Sequence, residues 1–185
     1  MLHLKNIRAG NPETPEQYEL TRRYGVEWLY TDAGENWYEI QKSFSPDTLK
    51  VEYLNTGEVT WTGKDIASIN PGGRNVIEIA NNTANRRIDA SGYWFYRNDK
   101  FVFDYGKKAE DERVMKLRDV GSLTAEWEKD LLLGLISDEN KEKLKVWRIY
   151  AKELQAMDFS RITDESSYAT IVWPELPQDI SENKK

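Results

Sequence analysis

The spacing of apolar residues changes once along the chain. Up to about residue 106 apolar positions recur every second residue in short bursts; from residue 107 they follow the 3.6-residue period of a helix. In the first part, Leu49, Val51 and Tyr53 alternate with Lys50 and Glu52, which predicts a half-buried strand over 49–54. Segments 27–30 and 36–40 flank Thr31-Asp32-Ala33-Gly34-Glu35 and read as a hairpin, with Gly34 free to take positive φ in the turn. Asn55-Thr56-Gly57 turns the chain into a strand over 58–62, and Asn70-Pro71-Gly72-Gly73 turns it into another over 75–80. Segments 93–97 and 101–105 bracket Asn98-Asp99-Lys100 as a further hairpin, after a polar, irregular stretch over 81–92. One short helix interrupts the β-pattern near the start. Thr14 is its cap, Pro15 takes the first helical position, and Gln17 lies three residues on from the cap.

The second part reads as helices. Residues 107–119 are charged, with Val114 and Leu117 on one side, and Gly121-Ser122 interrupts them. Leu123, Trp127, Leu131 and Leu135 mark a second apolar face. Ser137 caps the last helix, with Asp138 and Glu139 in its first turn, where negative charge favours the helix dipole. Leu144, Trp147, Tyr150, Ala151, Leu154 and Met157 then form one apolar stripe. The chain leaves this helix for Trp173-Pro174-Glu175-Leu176-Pro177, where two prolines three apart favour an extended, polyproline-like path. Such a tail docks by its tryptophan, on its own domain or on a partner. The pattern as a whole predicts an α+β protein: a β-rich N-terminal domain with hairpins over 1–106, and a C-terminal domain over 107–185 made of an antiparallel helix pair and an extended Trp-Pro tail. Residues after Pro177 are polar and expected to fray.

Composition narrows the function. Apolar residues are 39% of the 185, so the core is modest, and seven Trp, ten Tyr and five Phe supply much of it. Trp28, Trp37, Tyr38, Trp61, Trp94 and Tyr96 lie in or beside predicted strands. Core packing accounts for most of them; the remainder make a platform for a sugar ring or for another protein's surface. A net charge of −6 argues against nucleic acid as the ligand, because phosphate binding needs clustered Lys and Arg. The absence of cysteine excludes disulfides and thiolate metal sites. The first eight residues are too polar for a signal peptide, and no apolar run reaches the ~18 residues of a membrane span. A soluble protein folding in a cytoplasm is expected.

Catalytic constellations are not recognisable. His3 is the single histidine, with no placed nucleophile or orienting group. No Gly-x-Ser-x-Gly elbow occurs, and Pro71-Gly72-Gly73-Arg74 lacks the Lys-Ser/Thr ending of a phosphate loop. The densest acids, Asp32/Glu35 and Glu110/Asp111/Glu112, read as solvated turn and helix faces rather than metal ligands. Paired carboxylates of a glycosidase leave no spacing signature in a chain. The reading is a non-enzyme without metal or cofactor.

A series of motifs in order resembles the tail fibre assembly proteins of tailed bacteriophages. Leu4-Lys5-Asn6, Gly10-Asn11-Pro12-Glu13-Thr14 and Glu16-Gln17-Tyr18, followed by Trp28 and Trp37-Tyr38, resemble the family's opening. Ile66-Ala67-Ser68-Ile69-Asn70-Pro71-Gly72-Gly73 is similar to its central turn before a strand containing Glu78. Thr83-Ala84-Asn85-Arg86-Arg87, Asp89, Gly92 and Trp94 match a further block. Gly134-Leu135-Ile136-Ser137, Asn140-Lys141, Lys143-Leu144 and Trp147 resemble its last helix, and Trp173-Pro174 with Pro177 its close. Two places depart from the pattern: the hairpin carries Asn98-Asp99-Lys100, and 158–173 is longer than usual.

The resemblance implies a chaperone that binds the C-terminal region of a tail fibre protein, aids its folding and trimerisation, and in some members stays at the fibre tip. Fibre tips are intertwined three-chain β-structures, slow to assemble and prone to aggregate while their edges wait unpaired. The contact surface expected from exposed aromatics is Trp28, Trp37, Trp61 and Trp94, with Trp173, Pro174 and Pro177 from the tail. The alternative is an adhesin that presents the same tryptophans to host surface polysaccharide.

Overall fold

A computed structural model describes residues 1–178; the polar end expected to fray lies, from residue 179 on, outside the described residues. The chain divides into two compact units, the first Met1–Phe103 and the second beginning at Asp104.

The first unit is built on a five-stranded antiparallel sheet. Its strands are β1 (His3–Gly10), β2 (Trp28–Tyr30), β3 (Leu49–Tyr53), β4 (Val59–Gly63) and β5 (Arg74–Ile79), in the order β2-β1-β5-β3-β4. A separate hairpin pairs β6 (Trp94–Arg97) with β7 (Lys100–Phe103). Side chains of successive strand residues point to opposite faces, so β5 feeds two cores. Val76 joins Leu4, Ile7, Leu29, Trp37 and Phe44 on one face. Ile77 and Ile79 pack on the other, against Val51, Val59 and Ile88.

This two-sided burial corrects the expectation of a half-buried strand at 49–54. Every residue of β3 is buried, and Lys50 and Glu52 are each 1% exposed. Their charged groups find partners within the fold, although Glu52 Oε2 is buried without a hydrogen bond. Lys50 donates to the carbonyls of Ser45 and Thr48. Glu52 Oε1 accepts from Arg74 at 2.7 Å and from Thr60 Oγ1 at 2.6 Å. Beside them Glu78 accepts from Ser45 N, Thr48 Oγ1 and Leu2 N, at 2.8, 2.7 and 3.1 Å. Burial opposes ionisation of Glu78, but these donors outweigh it and hold the carboxyl below its usual value.

The predicted strand at 36–40 is instead a one-turn helix, α2 (Trp37–Ile40). Asn36 is the reason: its side chain accepts from Tyr38 N at 2.9 Å and caps the turn, which swings Trp37 into the core. The early helix forms as its sequence implies. In α1 (Pro15–Tyr24) Thr14 Oγ1 accepts from Gln17 N at 3.2 Å, and Gln17 Oε1 accepts from Glu13 N at 2.6 Å.

The second unit consists of α3 (Tyr105–Leu133), α4 (Asp138–Ala156) and α5 (Glu165–Ala169). The interruption expected at Gly121-Ser122 is absent: α3 is one helix of 29 residues. Glycine costs a helix interior about 1 kcal/mol, and packing overrides that here. Val120 and Thr124, four apart, are both buried, and Val120 joins Tyr150, Ala151 and Leu154 of α4 in one core. Gly134, in the left-handed region at φ 70°, ends α3; Leu135 N donates to Asp130 O at 2.8 Å. Ser137 then caps α4 by accepting from Asn140 N at 3.2 Å. The long stretch between α4 and Trp173 contains α5, closed by a capping box between Asp164 and Ser167.

Candidate binding surface

The β6–β7 hairpin concentrates aromatic side chains on one face. Its register pairs Trp94 with Phe103 and Tyr96 with Phe101. The rings meet at 5.3 Å and 5.1 Å between centroids, the first edge to face. Asn98 and Asp99, both at positive φ, form the two-residue turn, with the conformation an Asn/Asp pair tolerates in a tight hairpin. A two-stranded ribbon is marginal alone, and this one is held to the larger sheet. Glu58 and Phe95 form an isolated bridge, and Tyr96 N donates to Gly57 O at 2.7 Å. Gly57 must be glycine there. Its φ is 91°, and a Cβ would stand 2.5 Å from the Tyr96 carbonyl oxygen.

Between this hairpin, the 81–92 segment and the sheet lies an open cleft of about 380 Å³. Trp94, Tyr96 and Phe101 line it with Ile77, Ile79 and Ile88, and Asn85, Asp99 and Lys100 bring polar groups to it. Next to the cleft, His3 and Tyr53 share a hydrogen bond and Tyr53 stacks obliquely on Tyr96 at 4.9 Å. Burial, then Tyr96 and Asp99, pushes the Tyr53 hydroxyl up to about 12. Burial, then the charge of Lys5, pulls His3 below its usual value, so the imidazole is neutral at pH 7. These groups offer the cleft hydrogen-bonding and apolar contacts.

The tryptophans expected to make the contact surface separate into three groups. Trp37 is 1% exposed and packs against Phe44, and Trp28 is buried, donating to Thr21 Oγ1 at 2.8 Å with Tyr38 edge-on to its ring. Both belong to the core and present no free face. Trp61 and Trp94 are half-buried. Trp61, on the edge strand β4, folds its ring over Gly63, where a Cβ would meet it at 2.5 Å. Trp173 lies in the second unit with its ring 5.5 Å from Phe159, Lys116 5.1 Å above it, and the Val120–Leu154 core beneath. Pro174 and Pro177 are half-buried beside it in sequence. Phe101, Asn85 and Lys100, which complete the cleft, are not among the expected contacts. Asn85 stands out only within the 83–94 block, Lys100 only in the expected loop, and Phe101 only in its strand.

No helix among the described residues is long and apolar enough to cross a membrane. No group of three or more His, Asp or Glu among them is placed to hold a metal ion.

An antiparallel sheet bearing an aromatic cleft, followed by a helical hairpin, defines a two-unit α+β protein. Comparison with known proteins gives the family. The model of the Caudovirales tail fibre assembly protein, lambda gpK, matches residues 39–178. The chain is 43% identical to tail fiber assembly protein U′ of Escherichia phage Mu and 41% identical to U′ of Escherichia phage P1. Tail fiber assembly protein U of phage Mu is 33% identical. Each alignment covers 96% of this chain and the whole of the relative. The chain belongs to the tail fibre assembly protein family of tailed phages.

Proposed function

We propose that this chain is a chaperone for a phage tail fibre, binding the fibre's C-terminal region while it folds and trimerises in the host bacterial cytoplasm. The observation that carries this reading is a family match over nearly the full chain. The surface is consistent with it. β4 is an edge strand, bridged to its far side only through Glu58 and Phe95 among the described residues, with Trp61 beside the open part. An open edge with an aromatic neighbour suits an extended segment of an immature β-rich chain. The proposed contacts are the exposed parts of Trp61 and Trp94, with Trp173, Pro174 and Pro177 on the second unit. The work is passive shielding, with no covalent step and no nucleotide. Co-expression with the fibre chain is the test: soluble trimer is expected with this protein and aggregate without it. Equal yield in both cases overturns the reading.

A second reading, a glycan-binding adhesin at the fibre tip, is favoured by one observation. The cleft sets Trp94, Tyr96 and Phe101 beside the amide of Asn85, the carboxylate of Asp99 and the amine of Lys100, a mixture that suits a sugar ring. Titration with host polysaccharide, read by tryptophan fluorescence, is expected to saturate for wild type and to fail for Trp94→Ala. No response from wild type removes this reading.

A further inference from the structure

The outer face of α4 carries a cationic stripe over an apolar groove, a feature independent of the aromatic cleft. Lys141, Lys145, Arg148 and Lys152 are spaced by four, three and four, so at 100° per residue they fall on one line along the helix. Asp138, Glu139, Glu142 and Glu153 of the same helix fall to one side of that line by the same geometry. The stripe is ~16 Å long at 1.5 Å per residue. The groove holds about 430 Å³, with buried Leu144 as its floor and the exposed side chains of Leu131 from α3 and Ile149 from α4 as walls. Two of the four cations have carboxylate partners: Lys145 meets Glu142 at 2.6 Å, and Arg148 stands 3.8 Å from Glu128. Among the described residues Lys141 and Lys152, at the two ends of the stripe, pair with no carboxylate.

On a chain of net charge −6 this concentration of positive charge runs against the background. We propose that the α3–α4 groove docks an acidic protein segment that carries an apolar anchor. Its side chain seats between Leu131 and Ile149 on Leu144, and its carboxylates meet Lys141 and Lys152. The apolar floor selects such a segment over a bare polyanion, which gains nothing from leucine and isoleucine. The stripe's length matches about three turns of an acidic helix or about five residues of extended chain. The inference concerns the helical unit alone and stands whether or not the fibre reading holds.

The test uses the full chain and a fluorescent synthetic peptide about three helical turns long, made of Glu with two Leu on one face. Saturable binding is expected by anisotropy at low salt, weakened about tenfold or more at 500 mM NaCl as exposed charge pairs are screened. Lys141→Glu with Lys152→Glu is expected to weaken it at least tenfold, and Ile149→Ser severalfold with the salt dependence retained. All three positions are exposed on a helix; circular dichroism checks the fold, and the Gln pair at 141 and 152 replaces the Glu pair if that variant misfolds. Lack of saturation, or undiminished binding by the charge variants, overturns the proposal. So does inorganic polyphosphate binding as tightly as the peptide with Ile149→Ser without effect, which would leave only a bare cationic surface.

Discussion

The two units place their apolar side chains differently. In the sheet unit they point inward on both faces, and even Lys50, Glu52 and Glu78 are buried and hydrogen-bonded. In the helical unit the core is a thin seam of Val120, Tyr150, Ala151 and Leu154, with Trp173 laid over it. Leu131, Leu132, Leu133 and Leu135 stay exposed at the turn of the hairpin, Leu132 at 87%. Exposed side chains of this kind add little to internal stability. The difference teaches that the same modest apolar fraction can be buried on two faces of a sheet in one unit and left partly at the surface in another.

The comparison breaks first at Trp37. Trp37→Ala should destabilise the sheet unit by about 3–5 kcal/mol, because a large ring leaves a cavity that the sheet cannot close. Trp173→Ala, at a half-buried site on the helical seam, should cost less; paired denaturation curves rank the two, and equal losses contradict the contrast. Gly57→Ala should cost about 1–3 kcal/mol, since it strains a left-handed residue against the Tyr96 carbonyl and loosens the β6–β7 hairpin. Near-ultraviolet circular dichroism of the hairpin aromatics reports it.

Acid provides a gentler probe. His3 and Glu78 both have lowered values in the fold. A depressed group contributes its full stability above its unfolded value and loses it as pH falls through the folded one. The sheet unit should therefore begin to weaken below pH 6.5, through His3, and weaken further below pH 4.5, through Glu78. Denaturation midpoints across this range check it, and Glu78→Gln should flatten the lower limb. The smallest effect is expected at the exposed leucines. Leu132→Ser and Leu133→Ser should each stay within about 0.5 kcal/mol of wild type, and a larger loss would mean these residues support the fold.

Local signals in the sequence were legible where one residue controls one turn. Thr14 and Ser137 cap the helices expected of them, and Gly57 and Pro71-Gly72-Gly73 turn where expected. Legibility failed where a distant contact decides. Lys50 and Glu52 read as solvent-facing because alternation cannot see that β3 is covered on both sides. Asn36 reads as strand because its capping bond to Tyr38 matters only once Trp37 has a core to enter. Gly121 read as a break because the packing of Val120 and Thr124 on α4 lies outside any local window. The candidate surface followed the same rule: the tryptophans could be named, but which of them keep an exposed face depends on the finished sheet.

The strap formed by Trp173 has a consequence for how the molecule is made. The core clusters of the sheet unit are drawn entirely from residues made before Asp104. The helical seam borrows the ring of Trp173, which is made well after Phe103. At ~5–20 residues per second, the second unit therefore reaches its final packing on the order of seconds after the first. During synthesis every residue of the sheet's core is therefore present while the core of the helix pair still lacks its last ring.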